Sequence, residues 1–107
     1  MNRYRLKFTI NALSMLEDIL KKPFGDVVLS FSSGRISIND LRALVYVGIV
    51  GGNNVGKSFT LKDAGDYIDE VGLQTISEDV LKAFTEAFAP SQNERDEQDE
   101  AGDPEKN

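Results

Sequence analysis

Apolar and polar residues alternate near the start of this chain and repeat with a helical period along most of the rest. The alternating stretch runs from Arg3 to Ile10, and this period is typical of a half-buried β-strand. The residues on its apolar side are Tyr4, Leu6, Phe8 and Ile10. A lone strand leaves backbone groups unpaired. We therefore expect it to pair with a second copy of the chain, giving a homo-oligomer, or with residues near Ile36 in a short hairpin.

Two segments with helical spacing follow the predicted strand. Asn11 is a favourable N-cap for a helix from Ala12 to Lys21, which Pro23 would end. The apolar stripe of this helix consists of Ala12, Met15, Leu16, Ile19 and Leu20. The stretch from Pro23 to Gly34 then favours a second, short helix, because proline suits a helix start and glycine suits a helix end.

The most apolar helical segment lies in the middle of the chain. Ser37 or Asn39 can cap a helix that begins at Asp40 and that Gly51 and Gly52 end. Its body is apolar on nearly every side. A helix of this kind is expected to lie at the centre of a bundle.

Two more helices are predicted before the chain becomes polar. Thr60 and Asp63 have the spacing of a capping box, which predicts a helix through Val71 that Gly72 closes. The outer face of this helix is acidic and carries Asp63, Asp66, Asp69 and Glu70. A last helix, capped by Thr75 or Ser77, is ended by Pro90, and its apolar positions are Val80, Leu81, Phe84 and Phe88.

The pattern as a whole predicts a mainly α protein, a small bundle of four to five helices with one N-terminal β-strand. We assign residues 1–90 to this single helical domain. Residues 91–107 contain no large apolar residue, and they carry seven acidic and two basic residues. Such a segment cannot bury enough surface to offset its ordering entropy, so we expect a disordered acidic C-terminal tail.

Composition excludes several classes of function. The net charge is −6, of which −5 falls in residues 91–107, so the predicted domain is nearly neutral and has no basic face for nucleic acid. The chain has no cysteine and no histidine, which excludes disulfides, thiolate or histidine metal sites and Cys-His catalysis. No apolar run approaches the roughly 18 residues of a membrane span, and no leader is evident, so we expect an intracellular soluble protein.

Residues 51–58, GGNNVGKS, match the phosphate-binding loop pattern. If residues 43–50 formed a buried strand, loop amides from Gly51 to Gly56 would cradle phosphates, Lys57 would reach the terminal ones and Ser58 would hold magnesium. However, too few residues follow to supply further parallel strands, and the capping box starts the next helix beyond the motif. We therefore interpret the loop as a connection between two helices and expect no cofactor. A small nucleotide-binding protein is the alternative.

The acidic residues can be interpreted as a solvated helix face or as a functional site. The four acids of residues 61–71 have helical spacing, unlike the alternate positions of a calcium loop, which favours a solvated helix face. Such a face could still meet a basic partner, with Asp66 and Asp69 as candidates. Glu17 and Asp18 have ion-pairing spacing to Lys21 and Lys22, which favours solubilising pairs. We find no catalytic constellation and expect no enzyme.

The order of these segments resembles that of a known family. The resemblance rests on Arg-Tyr-x-Leu from Arg3, on Leu-x-x-Leu-Glu ending at Glu17, on Leu-Arg-Ala-Leu-x-x-x-Gly from Leu41, and on Leu-x-x-Ala-Gly-x-x-Ile-Asp from Leu61. It extends from about Arg3 to Phe88. On this pattern the chain resembles the small tail assembly chaperones of long-tailed phages, prophages and gene transfer agents. The longer connection containing residues 51–58 departs from that family, which has a short polar loop there.

The resemblance implies a mostly helical, non-catalytic protein that binds the tape measure protein during tail morphogenesis, with the tail tube protein as a further candidate partner. It implies action in the cytoplasm of the host bacterium and absence from mature particles. Phe84 and Phe88 are then candidates for a groove that receives a partner helix, the alternative being that they are ordinary core residues. A structural head-tail joining component is a further alternative.

Overall fold

The computed structural model describes residues 3–89, and within that range the chain forms five α-helices and no β-strand. The helices are α1 (Ile10–Leu20), α2 (Phe24–Ser32), α3 (Ile38–Gly52), α4 (Leu61–Val71) and α5 (Leu73–Phe88). The prediction of a mainly helical bundle is confirmed. Pro90 and the proposed acidic tail of residues 91–107 lie outside the described residues.

Helix α3 lies at the centre of the fold. It packs against α1 on one side and α4 on another, while α2 packs on α1 and α5 on α4. Leu44, Val45, Val47 and Ile49 of α3 are fully buried. The almost wholly apolar body of α3 explains this position, because a helix that is apolar all round can only be buried. None of the helices in residues 3–89 is both long and apolar enough to cross a membrane.

Side-chain caps fix the starts of three helices. The Thr9 hydroxyl accepts a hydrogen bond from the Ala12 amide at 3.0 Å, so α1 begins at Ile10, and the predicted Asn11 cap is wrong. Ser37 caps α3, one of the two predicted candidates, and the capping box at Thr60 starts α4 as predicted. These hydroxyls satisfy amide groups that have no carbonyl partner inside the helix.

The start of α5 differs from the prediction. The helix begins at Leu73, directly after Gly72, and neither Thr75 nor Ser77 is its cap. Gly72 has a φ of 94° and serves as both the end of α4 and the start of α5. Glycine accepts this left-handed conformation readily, so the chain can turn within one residue. The position of Leu81 also differs, since its side chain is 59% exposed instead of facing the core.

The N-terminal residues are extended, but the predicted β-strand is wrong. Residues 3–9 cross the C-terminal half of α3, and their backbone groups bond to that helix and to side chains. Lys7 donates its amide to the Gly48 carbonyl at 3.0 Å, and the Tyr4 amide donates to the Tyr67 hydroxyl at 3.0 Å. The carboxamide of Asn53 donates to the Arg5 carbonyl at 2.7 Å and accepts from the Arg5 amide at 3.4 Å.

These bonds within one chain replace the strand pairing that we expected. The alternation itself is confirmed at Leu6 and Phe8, which are buried. It fails at Ile10, which is 80% exposed because the chain has already entered α1. The predicted hairpin near Ile36 does not form within residues 3–89, and pairing with a second copy stays a prediction.

Three glycines of α3 make room for the extended segment. We call Gly48, Gly51 and Gly52 the glycine surface of α3. A Cβ atom on Gly51 would lie 2.3 Å from the Lys7 carbonyl oxygen, and one on Gly52 would lie 2.3 Å from that of Arg5. Real Cβ atoms essentially never approach another atom so closely. The close crossing of residues 5–8 over α3 therefore depends on glycine at both positions.

Candidate binding groove

The residues that match the phosphate-loop pattern do not form a phosphate-binding geometry. Residues 43–50 belong to α3 instead of a strand, and Gly51 lies in the last turn of that helix, against the Lys7 carbonyl. Lys57 and Ser58 are exposed in the loop, and α4 begins only at Leu61. The helix that should start at the motif to present its amides to phosphate therefore starts later. The interpretation as a connection between two helices is confirmed.

The acidic residues of α4 have separate structural roles. Asp63 accepts from the Thr60 amide at 2.9 Å in the capping box, and Asp66 pairs with Lys62 at 3.0 Å. The Asp66 carboxylate raises the pKa of Lys62 through this hydrogen bond. Asp69 is exposed. Among residues 3–89 no three or more acidic, histidine or cysteine residues converge in a way that could hold a metal ion.

The structure separates the four candidate partner-binding residues into two places. Asp66 and Asp69 border a shallow depression on α4, beside Ile38 and Leu73. Phe84 and Phe88 lie on α5. Phe84 is only 5% exposed and packs on the rings of Phe8 and Phe31, with ring centres 4.9 and 5.5 Å away. It is a core residue, whereas Phe88 is 48% exposed.

Phe88 borders an open groove, which we call the α1–α5 groove. It has a volume of about 800 Å³. Its walls are α1 and α5, and the extended N-terminal segment contributes Phe8 to its floor. The apolar residues that line it include Phe8, Ile10, Leu13, Ala83, Ala87 and Phe88. Because α5 packs mainly on α4 and on Phe8, the space between α5 and α1 stays open.

Local sequence explains the shape of the groove. Ala83 and Ala87 on α5, and Ser14 on α1, have small side chains that leave the middle of the groove open. Phe88 closes one end, where its ring stacks on Phe24 with ring centres 6.0 Å apart. Ile10 projects into solvent at the start of α1. Two large apolar side chains thus flank an open floor, an arrangement typical of a surface that binds another protein.

Charged residues lie at the two ends of the groove. Arg5 and Lys7 border one end and are exposed, and neither forms an ion pair within residues 3–89. Glu17 lies near the other end, beside Phe24. Its carboxylate accepts from the Phe24 amide at 2.9 Å and so caps the start of α2.

The lysines near Glu17 do not pair with it as predicted. Lys22 instead pairs with Asp40 at 2.7 Å, and this bond joins the end of α1 to the first turn of α3. The difference arises because Lys21 adopts the left-handed conformation that ends α1, with a φ of 59°. The chain then leaves the helix, and helical spacing no longer governs which side chains meet.

Arg3 holds the N-terminal end of the extended segment in place through its side-chain contacts. Its guanidinium donates to the Tyr67 hydroxyl and pairs with Asp79, which links the segment to α4 and α5. These hydrogen bonds, the one to Tyr67 above all, raise the pKa of Arg3 above its ordinary value. The floor of the groove is therefore held at both ends, by Arg3 and by the Thr9 cap of α1.

Sequence reasoning found only part of this groove. It identified Phe88 but missed Ile10, Leu13 and the alanines of α5. Ile10 was placed on the buried side of a strand, and the alanines carry no signal of their own. The signal that could have identified Ile10 is its place directly after the Thr9 cap, at the start of α1, where its side chain faces solvent.

Comparison with protein-family models, with curated proteins and with solved structures found no match to this chain. The fold and groove therefore define a small helical protein with an open apolar groove.

Proposed function

We propose that this protein is a non-catalytic tail assembly chaperone that holds a helical segment of the tape measure protein in the α1–α5 groove. The observation that carries the proposal is the groove itself, with Ile10 80% and Phe88 48% exposed on either side of an apolar floor. The order of sequence motifs, which resembles that of small tail assembly chaperones, supports the same function.

The physical argument concerns what an assembly chaperone must do. A tape measure protein is long and helical, and its apolar stripes would associate before the tail tube forms around it. A groove between two helices can cover one such stripe, because an amphipathic helix binds by laying its apolar face into an apolar groove. The small side chains of Ala83 and Ala87 leave the wall of α5 open for a reversible contact of this kind. Tail tube protein is a second candidate partner.

The direct test is co-expression with a candidate tape measure protein from the same genome. We expect the soluble fraction of that protein to rise, and the two proteins to co-purify. No change in solubility would contradict the proposal. We also expect the protein to act in the host cytoplasm and to be absent from purified particles. Detection in purified particles at a stoichiometric amount would favour a structural head-tail joining component instead.

The gene neighbourhood provides an independent test. A slippery run near the 3′ end of the gene, an overlapping second frame and a very long helical reading frame downstream are expected for this family. Such an arrangement would support the proposal. A position among unrelated housekeeping genes without these features would contradict it.

A further inference from the structure

We infer that the occupant of the α1–α5 groove is an amphipathic helix with an acidic end, which lies beside Arg5 and Lys7. This inference deepens the proposed function and rests on it for the source of the helix. The groove alone, however, determines the chemistry of the occupant.

The main-chain bonding of the walls favours a helical occupant. Both walls are helices, α1 and α5, whose backbone groups are bonded within each helix. They offer no free sheet edge to which an extended peptide could add. A helix brings its own backbone bonds and needs only an apolar surface. The small side chains of Ser14, Ala83 and Ala87 let its backbone approach closely.

The interior of the groove argues against a small polar ligand. Small-molecule sites combine an apolar lining with a few inward-facing polar groups that fix the ligand's orientation. Here the middle of the groove is lined by Phe8, Leu13 and the two alanines. Of the four charged lining residues, Glu17 is bonded to the Phe24 amide, and Arg5, Lys7 and Glu86 are exposed to solvent. They can meet the flanks of a bound helix but cannot surround a small molecule.

The charges at the two ends give the occupant a polarity. Arg5 and Lys7 stand on the same outward side of the extended segment, two residues apart, and neither forms an ion pair within residues 3–89. The exposed Glu86 of α5 also lines the groove and borders a second depression together with Arg5, so these three residues carry one net positive charge. The opposite end has Glu17, whose carboxylate is already used by the Phe24 amide. An acidic helix end beside Arg5 and Lys7 is therefore the complementary arrangement.

The test uses the full chain and a labelled synthetic helical peptide. The peptide has an apolar stripe at i, i+3, i+4 and i+7 and two glutamates at one end, and two further versions carry glutamine or lysine there. Fluorescence anisotropy gives each Kd. We expect the glutamate version to bind about threefold tighter than the glutamine version, the effect of one or two exposed ion pairs. Equal affinity of all three versions would overturn the assigned polarity.

A charge reversal distinguishes ion pairing from general attraction. In the variant Lys7→Glu the preference should invert, so that the lysine version of the peptide binds more tightly than the glutamate version. Raising the salt concentration should reduce both preferences. An unchanged preference in Lys7→Glu would overturn the inference, because the acidic end would then lie elsewhere.

The chain offers a closely matched pair of variants for the apolar part. Ile10 and Ile38 are each the first residue of a helix, each follows a hydroxyl cap, and they are 80% and 68% exposed. Glutamate in a first helical turn is favourable, so neither Ile10→Glu nor Ile38→Glu should unfold the protein. We expect Ile10→Glu to weaken peptide binding by at least about tenfold, because it places a charge against the apolar stripe.

Ile38→Glu should leave the affinity unchanged, since Ile38 lies outside the groove. Loss of binding in Ile38→Glu, or none in Ile10→Glu, would overturn the inference. Self-association that Ile10→Glu abolishes would also overturn it, by showing that a second copy fills the groove.

If the peptide binds but the tape measure protein is not solubilised, the proposed function fails and the inference stands. If Ile10→Glu still solubilises the tape measure protein, the proposed function stands and the inference about the groove fails.

Discussion

Replacing Gly51 with alanine should destabilise this protein, although alanine is the better helix former. Gly51 lies in the last turn of α3, where the extended segment crosses the helix. A Cβ atom there would lie 2.3 Å from the Lys7 carbonyl oxygen and 3.3 Å from the Cβ of Ala12. The first of these is a backbone atom, which cannot move aside by a change of rotamer.

The magnitude follows from two opposing contributions. Alanine in place of glycine favours a helix by at most about 1 kcal/mol, and less near a helix end. Forcing an extra methyl group into a packed site costs about 1–3 kcal/mol. If the segment lifts away instead, Leu6 and Phe8 lose burial worth about 1.5–3 kcal/mol each. We therefore expect a net loss of about 2 kcal/mol, which corresponds to a decrease in Tm of roughly 8–16 °C for a domain of this size.

Urea denaturation followed by circular dichroism would measure this loss, with Gly25→Ala as the matched control. Gly25 lies inside α2, and a Cβ atom there would meet nothing within 4 Å. This variant should be as stable as the original or more stable by about 0.5 kcal/mol. A second measurement is trypsin cleavage after Lys7, which should be faster in Gly51→Ala if the segment lifts. The reasoning is refuted if Gly51→Ala is as stable as Gly25→Ala.

Three further predictions concern other parts of the fold. Thr60→Ala removes the cap of α4 and should cost about 1 kcal/mol in urea denaturation; an unchanged midpoint would show that the cap does not contribute. Lys22→Met leaves the Asp40 carboxylate unpaired, and because the Asp40 side chain is only 11% exposed the loss should be about 1–3 kcal/mol in the same measurement. Lys57→Ala should change stability by less than about 0.5 kcal/mol. Magnesium with GTP or ATP should raise the Tm of neither the original protein nor the Lys57→Ala variant. A rise in the original protein that Lys57→Ala abolishes would establish nucleotide binding.

The helices could be predicted from the sequence because their signals are local. The capping box of Thr60 and Asp63 lies at the start of α4, and Gly72 lies at its end. Because both signals are next to the helix that they define, both bounds of α4 were predicted correctly. The apolar body of residues 41–50 likewise predicted the central position of α3. At α1 the sequence predicted Asn11 as the cap, whereas Thr9 caps the helix, because the outcome depends on the direction from which the chain enters it.

The extended segment and the groove could not be predicted in the same way. The alternation of residues 3–10 predicted the burial of Leu6 and Phe8 correctly and that of Ile10 wrongly, and it carries no information about what the backbone bonds to. The partners are Gly48, Asn53 and Tyr67, which lie 41 to 63 residues further along the chain. Contacts at such separations depend on how the helices pack. The open space between α1 and α5 likewise results from packing and has no local signal.

The glycine surface of α3 connects the phosphate-loop match to the groove. Gly51 and Gly52 begin the match, and in this fold they let residues 5–8 lie against α3. The same residues place Phe8 in the floor of the groove and Arg5 and Lys7 at its end. A glycine pair that suggests phosphate chemistry in the sequence therefore positions an apolar binding surface in the structure. It follows that Gly51→Ala should weaken peptide binding in the groove even though no atom of Gly51 lines it. Ile38→Glu should lack this effect.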